Sequence, residues 1–130
     1  MKIMVGYNGS DASRNALSLA CKHAVDQDGL IYIVTSLGGG SSETAEKIQK
    51  AREVLNDAEA FVFKQMVQGQ SVQLARGLSP GEDLVKFAED NGIDHIYLGV
   101  EKISRTKKIL LGSTAQYVIL KGPCPVTTTK

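Results

Sequence analysis

The sequence predicts an α/β fold in which a parallel β-sheet is covered by helices on both faces. Short runs of apolar residues alternate along the 130-residue chain with longer segments whose apolar residues recur at helical spacing. The segments between them are short and contain residues that form turns and cap helices. Two parallel strands must be joined by a crossover connection, which is usually a helix. The alternation of strands and helices is therefore typical of a parallel sheet.

The first strand and helix occupy the start of the chain. Residues 2–7 are an apolar run that stops at residues 8–11, Asn-Gly-Ser-Asp, where turn-forming residues meet residues that cap helix amino termini. The next segment has helical periodicity and ends at Asp28-Gly29. We expect its buried face to consist of Ala12, Ala16, Leu17, Ala20, Cys21, Ala24 and Val25.

The second strand is predicted at residues 30–37, a run of Ile, Tyr, Val and Thr that is typical of a strand buried on both faces. Glycines and serines at residues 38–42 then indicate a loop, either a plain connection or a flexible hinge at the base of a lid. A long helix is expected from near Ser42. Its inner stripe consists of Ala45, Ile48, Leu55, Ala58, Val62 and Met66.

The third strand and the next helix follow the same order. Gln alternates with Val and Leu at residues 70–76, a pattern typical of a strand at the edge of a sheet. Residues 79–82, Ser-Pro-Gly-Glu, predict a capping box with proline at the first helical position. The helix is expected to end at Asn91-Gly92.

The last two strands flank a short helix. Residues 93–100 predict the fourth strand and residues 126–129 a polar fifth strand, while the helix between them runs from Ser113 to Gly122-Pro123. Parallel sheets bind ligands beyond the carboxyl ends of their strands, where the strand order reverses. The turn at residues 6–10 and the loop after the fourth strand both belong to that edge.

The composition fits one domain, residues 1–130, and argues against several classes of function. Hydrophobic residues make up 42% and charged residues 22% of the chain, enough for an ordinary core. The 15 basic and 14 acidic residues leave a net charge of +1, so we expect neither nucleic acid nor a membrane as a partner. No apolar run reaches the roughly 18 residues that span a bilayer, and no signal-peptide pattern is present. The two cysteines form no disulfide framework, so we expect a cytoplasmic protein.

No combination of side chains in the sequence indicates a catalytic centre. Residues 77–81 match the GxSxG pattern of serine hydrolases, but Pro80 lacks the N–H group that the oxyanion hole requires. His23 and His95 have no partner at the spacing of a metal site or a catalytic triad. Walker-type and GxGxxG phosphate loops do not occur in the sequence either.

The segment from Gly99 to Ser113 predicts a phosphate-binding site. It joins the end of a strand to the start of a helix through a loop that contains Lys102, Arg105, Lys107 and Lys108. Backbone N–H groups at a helix start lack intrahelical partners, and the helix dipole adds positive charge there, so an anion fits. The alternative is a plain strand-to-helix connection with solvated charges.

Three parts of the sequence together resemble the universal stress protein family: residues 2–10, residues 77–99 and residues 110–126, with Leu-Leu-Gly-Ser opening the last part and Pro-Cys-Pro-Val closing it. The resemblance covers essentially the whole chain. It implies a Rossmann-like sheet of five parallel strands in the order 3-2-1-4-5, flanked by four helices, as in adenine nucleotide alpha hydrolase-like folds. It also implies a homodimer, often paired through the last strand. Some members of the family bind ATP and others do not.

Members that bind ATP share a motif of a glycine, two residues, a second glycine, nine residues, then glycine and a small hydroxyl residue. The matching positions here are Gly99, Lys102, Gly112 and Ser113, so a lysine replaces the second glycine. The family commonly has an acidic residue that contacts the nucleoside, and this chain has Asn8 there. By position, the resemblance places further residues at the nucleotide. These are Gly6 in the first turn, Tyr7, Ser36 and Leu98 around the base, and Ser113 and Thr114 at the phosphates.

The leading hypothesis is a cytoplasmic regulatory protein of the stress response that binds ATP, with or without magnesium, and signals to a protein partner of unknown identity. The alternative is a dimeric interaction or scaffold module of the same fold that holds no nucleotide, with Lys102 filling the pocket. A third possibility is slow ATP hydrolysis, which the lack of an evident general base disfavours.

Overall fold

The computed structural model describes residues 1–39, 44–101 and 111–130, in which strands and helices alternate. The strands are β1 (Lys2–Gly6), β2 (Leu30–Ser36), β3 (Gln68–Leu74), β4 (His95–Gly99) and β5 (Val126–Thr129). The helices are α1 (Asp11–Gln27), α2 (Ala45–Lys64), α3 (Pro80–Asp90) and α4 (Ser113–Lys121). Most of the predicted loop at residues 38–42, and the basic loop that contains Lys102, lie outside the described residues.

The strands form one parallel sheet in the order β3-β2-β1-β4-β5, which confirms the predicted fold class and strand order. β1 lies at the centre, where Ile3 pairs with Ile31 on one side and with His95 on the other. The order of the strands reverses between β1 and β4. The edge position predicted for β3 from its alternating Gln residues is also confirmed.

Two hydrophobic clusters cover the two faces of the sheet. Side chains of α1 and α2 pack on one face and side chains of α3 and α4 on the other. Successive residues of β1 point to alternate faces, so Ile3 and Val5 join the first cluster and Met4 joins the second. Cys21 lies in the first cluster as predicted, and burial raises the pKa of its thiol to about 11.

Several local predictions are wrong, mainly at helix ends. Val25 is 61% exposed rather than buried. Helix α2 begins at Ala45 with Thr44 as its cap, and Ala45 and Ile48 are exposed. Met66 is 94% exposed because the helix has already ended at Lys64 and the backbone of Met66 is left-handed, with φ of 58°. Apolar periodicity therefore overestimates the buried stripe wherever a helix extends beyond the sheet it covers.

The start of α3 also differs from the predicted capping box. Ser79 is the amino-terminal cap residue, but its side chain makes no capping hydrogen bond to the backbone. Its hydroxyl instead donates to the carboxylate of Glu82 at 2.8 Å. Strand β3 ends at Leu74 rather than at Arg76, which leaves the arginine side chain available for the contact with α3 described below.

Candidate functional site

A cavity of about 290 Å³ opens at the carboxyl edge of the sheet, beyond the ends of the neighbouring strands β1 and β4. Most of the residues predicted for the site line it: Gly6, Tyr7, Asn8, Ser36, Leu98, Gly99 and Thr114. The lining also includes residues that the sequence did not indicate: Ser13, Val34, Thr35, Pro80, Leu84 and Ala115. The structure thus gathers residues from all three regions of the chain that the resemblance to the family rested on.

The remaining predicted residues lie beside the cavity or outside the described part of the chain. Gly112 is the amino-terminal cap residue of α4 and Ser113 is its first residue, so both adjoin Thr114 without lining the cavity. Lys102 lies outside the described residues, as do the neighbouring cations Arg105, Lys107 and Lys108. The effect of the lysine on the predicted phosphate loop therefore stays a prediction.

The amino termini of α1, α3 and α4 each contribute residues to the cavity lining, and they differ in their caps and in the charge of their first turns. At α1, the hydroxyl of Ser10 accepts from the N–H of Ser13 at 3.2 Å, and the side-chain oxygen of Asn8 accepts from the N–H of Ser10 at 2.9 Å. At α4 the cap is Gly112, and among the described residues no side chain caps the first turn.

At α3 the cap residue Ser79 makes no capping hydrogen bond either, but Pro80 at the first helical position has no N–H group and the first turn contains Glu82 and Asp83. The first turn of α1 contains Asp11, whereas that of α4 contains no acidic residue. The start of α4 is therefore the end at which acidic side chains do not offset the positive pole of the helix dipole.

The glycines that end β1 and β4 allow close packing around the cavity. A Cβ atom on Gly99 would overlap the peptide between Ala12 and Ser13, so the first turn of α1 packs directly on the end of β4. A Cβ atom on Gly6 would lie 2.7 Å from Cδ1 of Leu98. Packing alone therefore requires glycine at position 99, where the neighbouring atoms are backbone, whereas at position 6 the end of the Leu98 side chain can move aside.

The opposite wall, from β2 and α3, is built from side chains. Asp83 is 0% exposed, and Nε of Arg76 donates to its Oδ1 at 2.7 Å while the Arg76 Nη2 lies 2.5 Å from the same oxygen. The hydroxyl of Ser36 donates to the other carboxylate oxygen, Oδ2, at 2.8 Å. A buried carboxylate is tolerated only when such partners satisfy it. Ser36 lines the cavity, and Asp83 lies behind it.

This network was not predicted from the sequence, although one local signal was present. Asp83 falls in register with the buried face of α3, between Gly81 and Leu84 and four residues before Phe87. A carboxylate on the inner face of a helix demands a buried partner. Which residue supplies that partner was not visible, because Ser36 and Asp83 are 47 residues apart in the chain.

The two histidines have partners that the sequence did not reveal, but these contacts lie outside the cavity lining. Nδ1 of His23 contacts the hydroxyl of Tyr97. The ring of His95 stacks on Tyr97 at 4.5 Å between centroids, and its Nε2 lies 2.7 Å from the hydroxyl of Thr127. Burial, and to a lesser extent the charge of His23, lowers the pKa of His95 from its usual 6.5.

Residues 1–39, 44–101 and 111–130 contain neither a metal-binding cluster nor a membrane-spanning helix. No group of three or more His, Cys, Asp or Glu side chains there could hold a metal ion. None of the helices in these ranges has the length and apolar character needed to cross a membrane.

Comparison with known proteins identifies the family. The profile of the Universal stress protein family matches residues 1–130. Universal stress protein MJ0531 of Methanocaldococcus jannaschii is 26% identical over 147 residues, covering 99% of this chain and 81% of that protein. A universal stress protein from Archaeoglobus fulgidus has a similar structure, with a TM-score of 0.91 and 34% identity over 100% of this chain and 93% of that one. A structure of the universal stress protein from Archaeoglobus fulgidus in complex with dAMP gives a TM-score of 0.86 and 32% identity, over 100% of this chain and 98% of that one. The chain therefore belongs to the universal stress protein family.

Proposed function

We propose that this chain binds an adenine nucleotide, ATP in the first instance, in the cavity between β1 and β4. The observation that carries the proposal is the cavity itself, which lies at the reversal of strand order and is lined by residues predicted for nucleotide contact. The similar Archaeoglobus fulgidus structure in complex with dAMP supports the choice of an adenine nucleotide.

The size and lining of the cavity favour a particular orientation of the nucleotide. Its volume of about 290 Å³ is at the small end for ligand pockets, so the base and ribose fill it and the phosphates project from its mouth. Val34, Leu84 and Leu98 supply an apolar wall for a flat base. The start of α4, beside Thr114, attracts the phosphates because its first turn contains no acidic residue to offset the helix dipole.

The proposed role is regulatory and cytoplasmic. A protein partner would distinguish the nucleotide-bound state from the free state in the response to stress. ATP hydrolysis is at most slow in this proposal, because none of the described residues that line the cavity is an Asp, Glu or His that could act as general base.

Thermal unfolding with ATP tests the binding proposal. Millimolar ATP, with and without magnesium, is expected to raise the melting temperature of the wild-type chain, because a ligand that binds only the folded state stabilises it. A matched titration of Lys102→Gly shows whether lysine at the motif position weakens the site. If wild type shows no shift and Lys102→Gly does, the scaffold alternative is correct. Phosphate release above a buffer control would indicate an enzyme instead.

The proposed assembly is a homodimer paired through β5. That strand is the last in the sheet order, so one of its two edges has no neighbouring strand among the described residues. Side chains of Thr and Val along β5 suit strand pairing but bury little apolar area. Native mass spectrometry at micromolar concentration is expected to give the mass of two chains, and a single-chain mass would contradict the proposed dimer.

A further inference from the structure

The contacts of Asp83 determine the direction in which the Ser36 hydroxyl donates its proton. Arg76 donates to Oδ1 of Asp83 and also, through Nη2, to its backbone carbonyl at 3.1 Å. An arginine side chain has only donors, and a carboxylate paired with it has only acceptors. The hydroxyl proton of Ser36 must therefore point at Oδ2, 2.8 Å away.

A hydroxyl whose proton is engaged in this way offers only lone pairs to other groups. Ser36 lines the cavity, whereas Asp83 is completely buried and does not. The cavity thus meets a fixed hydrogen-bond acceptor at the end of β2. A fixed acceptor binds an N–H donor well and disfavours another acceptor, because neither group then has a proton to share.

The base, rather than the phosphates, is the part of a nucleotide that fits beside Ser36. Val34 and Leu84 lie in the same lining and give a surface suited to a flat ring. The helix end that suits phosphate is the start of α4, whose first turn contains no acidic residue. The Ser36 hydroxyl already donates its proton to Asp83 and has none to donate to a phosphate oxygen.

We propose that Ser36 is a specificity-determining residue that accepts a hydrogen bond from the 6-amino group of the purine, and that Asp83 is the positioning residue that holds the Ser36 proton away from the cavity. The site then selects 6-amino purines over 6-oxo purines. This inference rests on the proposed nucleotide binding.

Calorimetric titration of the full chain with ATP and with ITP tests the inference. The two ligands share the ribose and the triphosphate, and ITP replaces the 6-amino group by a carbonyl. Wild type is expected to bind ATP at least about tenfold more tightly than ITP, since a mismatched acceptor costs about that much. Ser36→Ala is expected to lose most of this preference.

Asp83→Asn gives the sharpest test. It turns the group that faces Ser36 from an acceptor into a donor, while the contacts with Ser36 and Arg76 are kept. Arg76 requires an acceptor, so the carbonyl of the new side chain faces it and the amide nitrogen faces Ser36 as a donor. The Ser36 hydroxyl is then released to donate into the cavity. The ratio of ATP to ITP affinity should fall by about tenfold or more. In the Ser36→Ala background, Asp83→Asn should leave the ratio unchanged.

Glu82→Gln is the matched control, since it removes the same charge one position away on an exposed side chain that contacts Ser79 instead. It should leave the ratio at the wild-type value. Equal affinity of wild type for ATP and ITP, or an unchanged ratio in folded Asp83→Asn, overturns the role of Ser36 while nucleotide binding stands. Failure of wild type to bind either ligand contradicts the proposed function itself.

Discussion

The two walls of the cavity are built on different principles. The wall from β1 and β4 depends on two glycines, which have no side chain. Gly99 lets the first turn of α1 pack on the strand, and Gly6 leaves room for Leu98. The wall from β2 and α3 depends on side chains: the buried carboxylate of Asp83 accepts hydrogen bonds from Ser36 and Arg76. Sterics therefore fix the first wall, and the completeness of its hydrogen bonding fixes the second. The two walls should therefore fail in different ways when altered.

Gly99→Ala should have the largest effect on stability. The added Cβ atom would overlap backbone, which cannot rotate away, so the first turn of α1 must shift. We expect a loss of about 3 kcal/mol in the free energy of unfolding, measured by urea denaturation. Gly92→Ala is the control: its Cβ would meet open space, and the left-handed φ of 61° alone should cost about 1 kcal/mol. Equal losses in the two variants would contradict the steric account.

Asp83→Ala should be the next most damaging change. It leaves Arg76 and Ser36 without their acceptor, although Arg76, with its side chain 34% exposed, can turn partly to water. A loss of about 2 kcal/mol is expected, less than for a fully buried pair. Urea denaturation in high and low salt checks it, and Asp83→Asn should retain most of the stability because it keeps both contacts. A fully stable Asp83→Ala would show that this wall does not depend on its hydrogen bonds.

Gly6→Ala should have a smaller effect on stability but should also change the cavity. Its Cβ would press on a flexible side-chain end, Cδ1 of Leu98 at 2.7 Å, so Leu98 can rotate into the cavity. We expect a loss of about 1 kcal/mol and an affinity for ATP about tenfold lower. In a double-mutant cycle with Leu98→Ala, most of the stability cost should disappear. Additive losses would indicate that the two residues are not in contact.

The smallest effect is expected away from both walls, at His95. Its lowered pKa means that the unfolded chain binds this proton more readily than the folded one, so the free energy of unfolding should decline as the pH falls below 6.5. His95→Gln should make that decline below pH 6.5 shallower, because the variant lacks the group whose protonation favours the unfolded chain. Affinity for ATP at neutral pH should be unaffected in this variant. An identical pH dependence of stability in both proteins would contradict the assignment to His95.

The same contrast explains how much of the molecule could be predicted. Apolar runs, caps and the Gly122-Pro123 stop are local signals, and they sufficed to predict the order in which strands and helices follow one another along the chain. The position of Gly99 at the site was predicted, but the packing of α1 on it depends on chain folding and was not. Asp83 was missed because its partners lie in β2 and after β3, and no local pattern links such distant residues. Gly6 and Gly99 could therefore be predicted as residues of the site, whereas Asp83 could not.

The central claim is that the cavity between β1 and β4 binds an adenine nucleotide. Titration of the ¹⁵N-labelled full chain with ATP, followed by amide chemical shifts, tests it most directly. The account predicts saturable shifts that are largest at Gly6, Asn8, Gly99 and Thr114, which surround the cavity. Unchanged shifts at these four amides in millimolar ATP, or shifts confined to the distant end of the sheet, would contradict it.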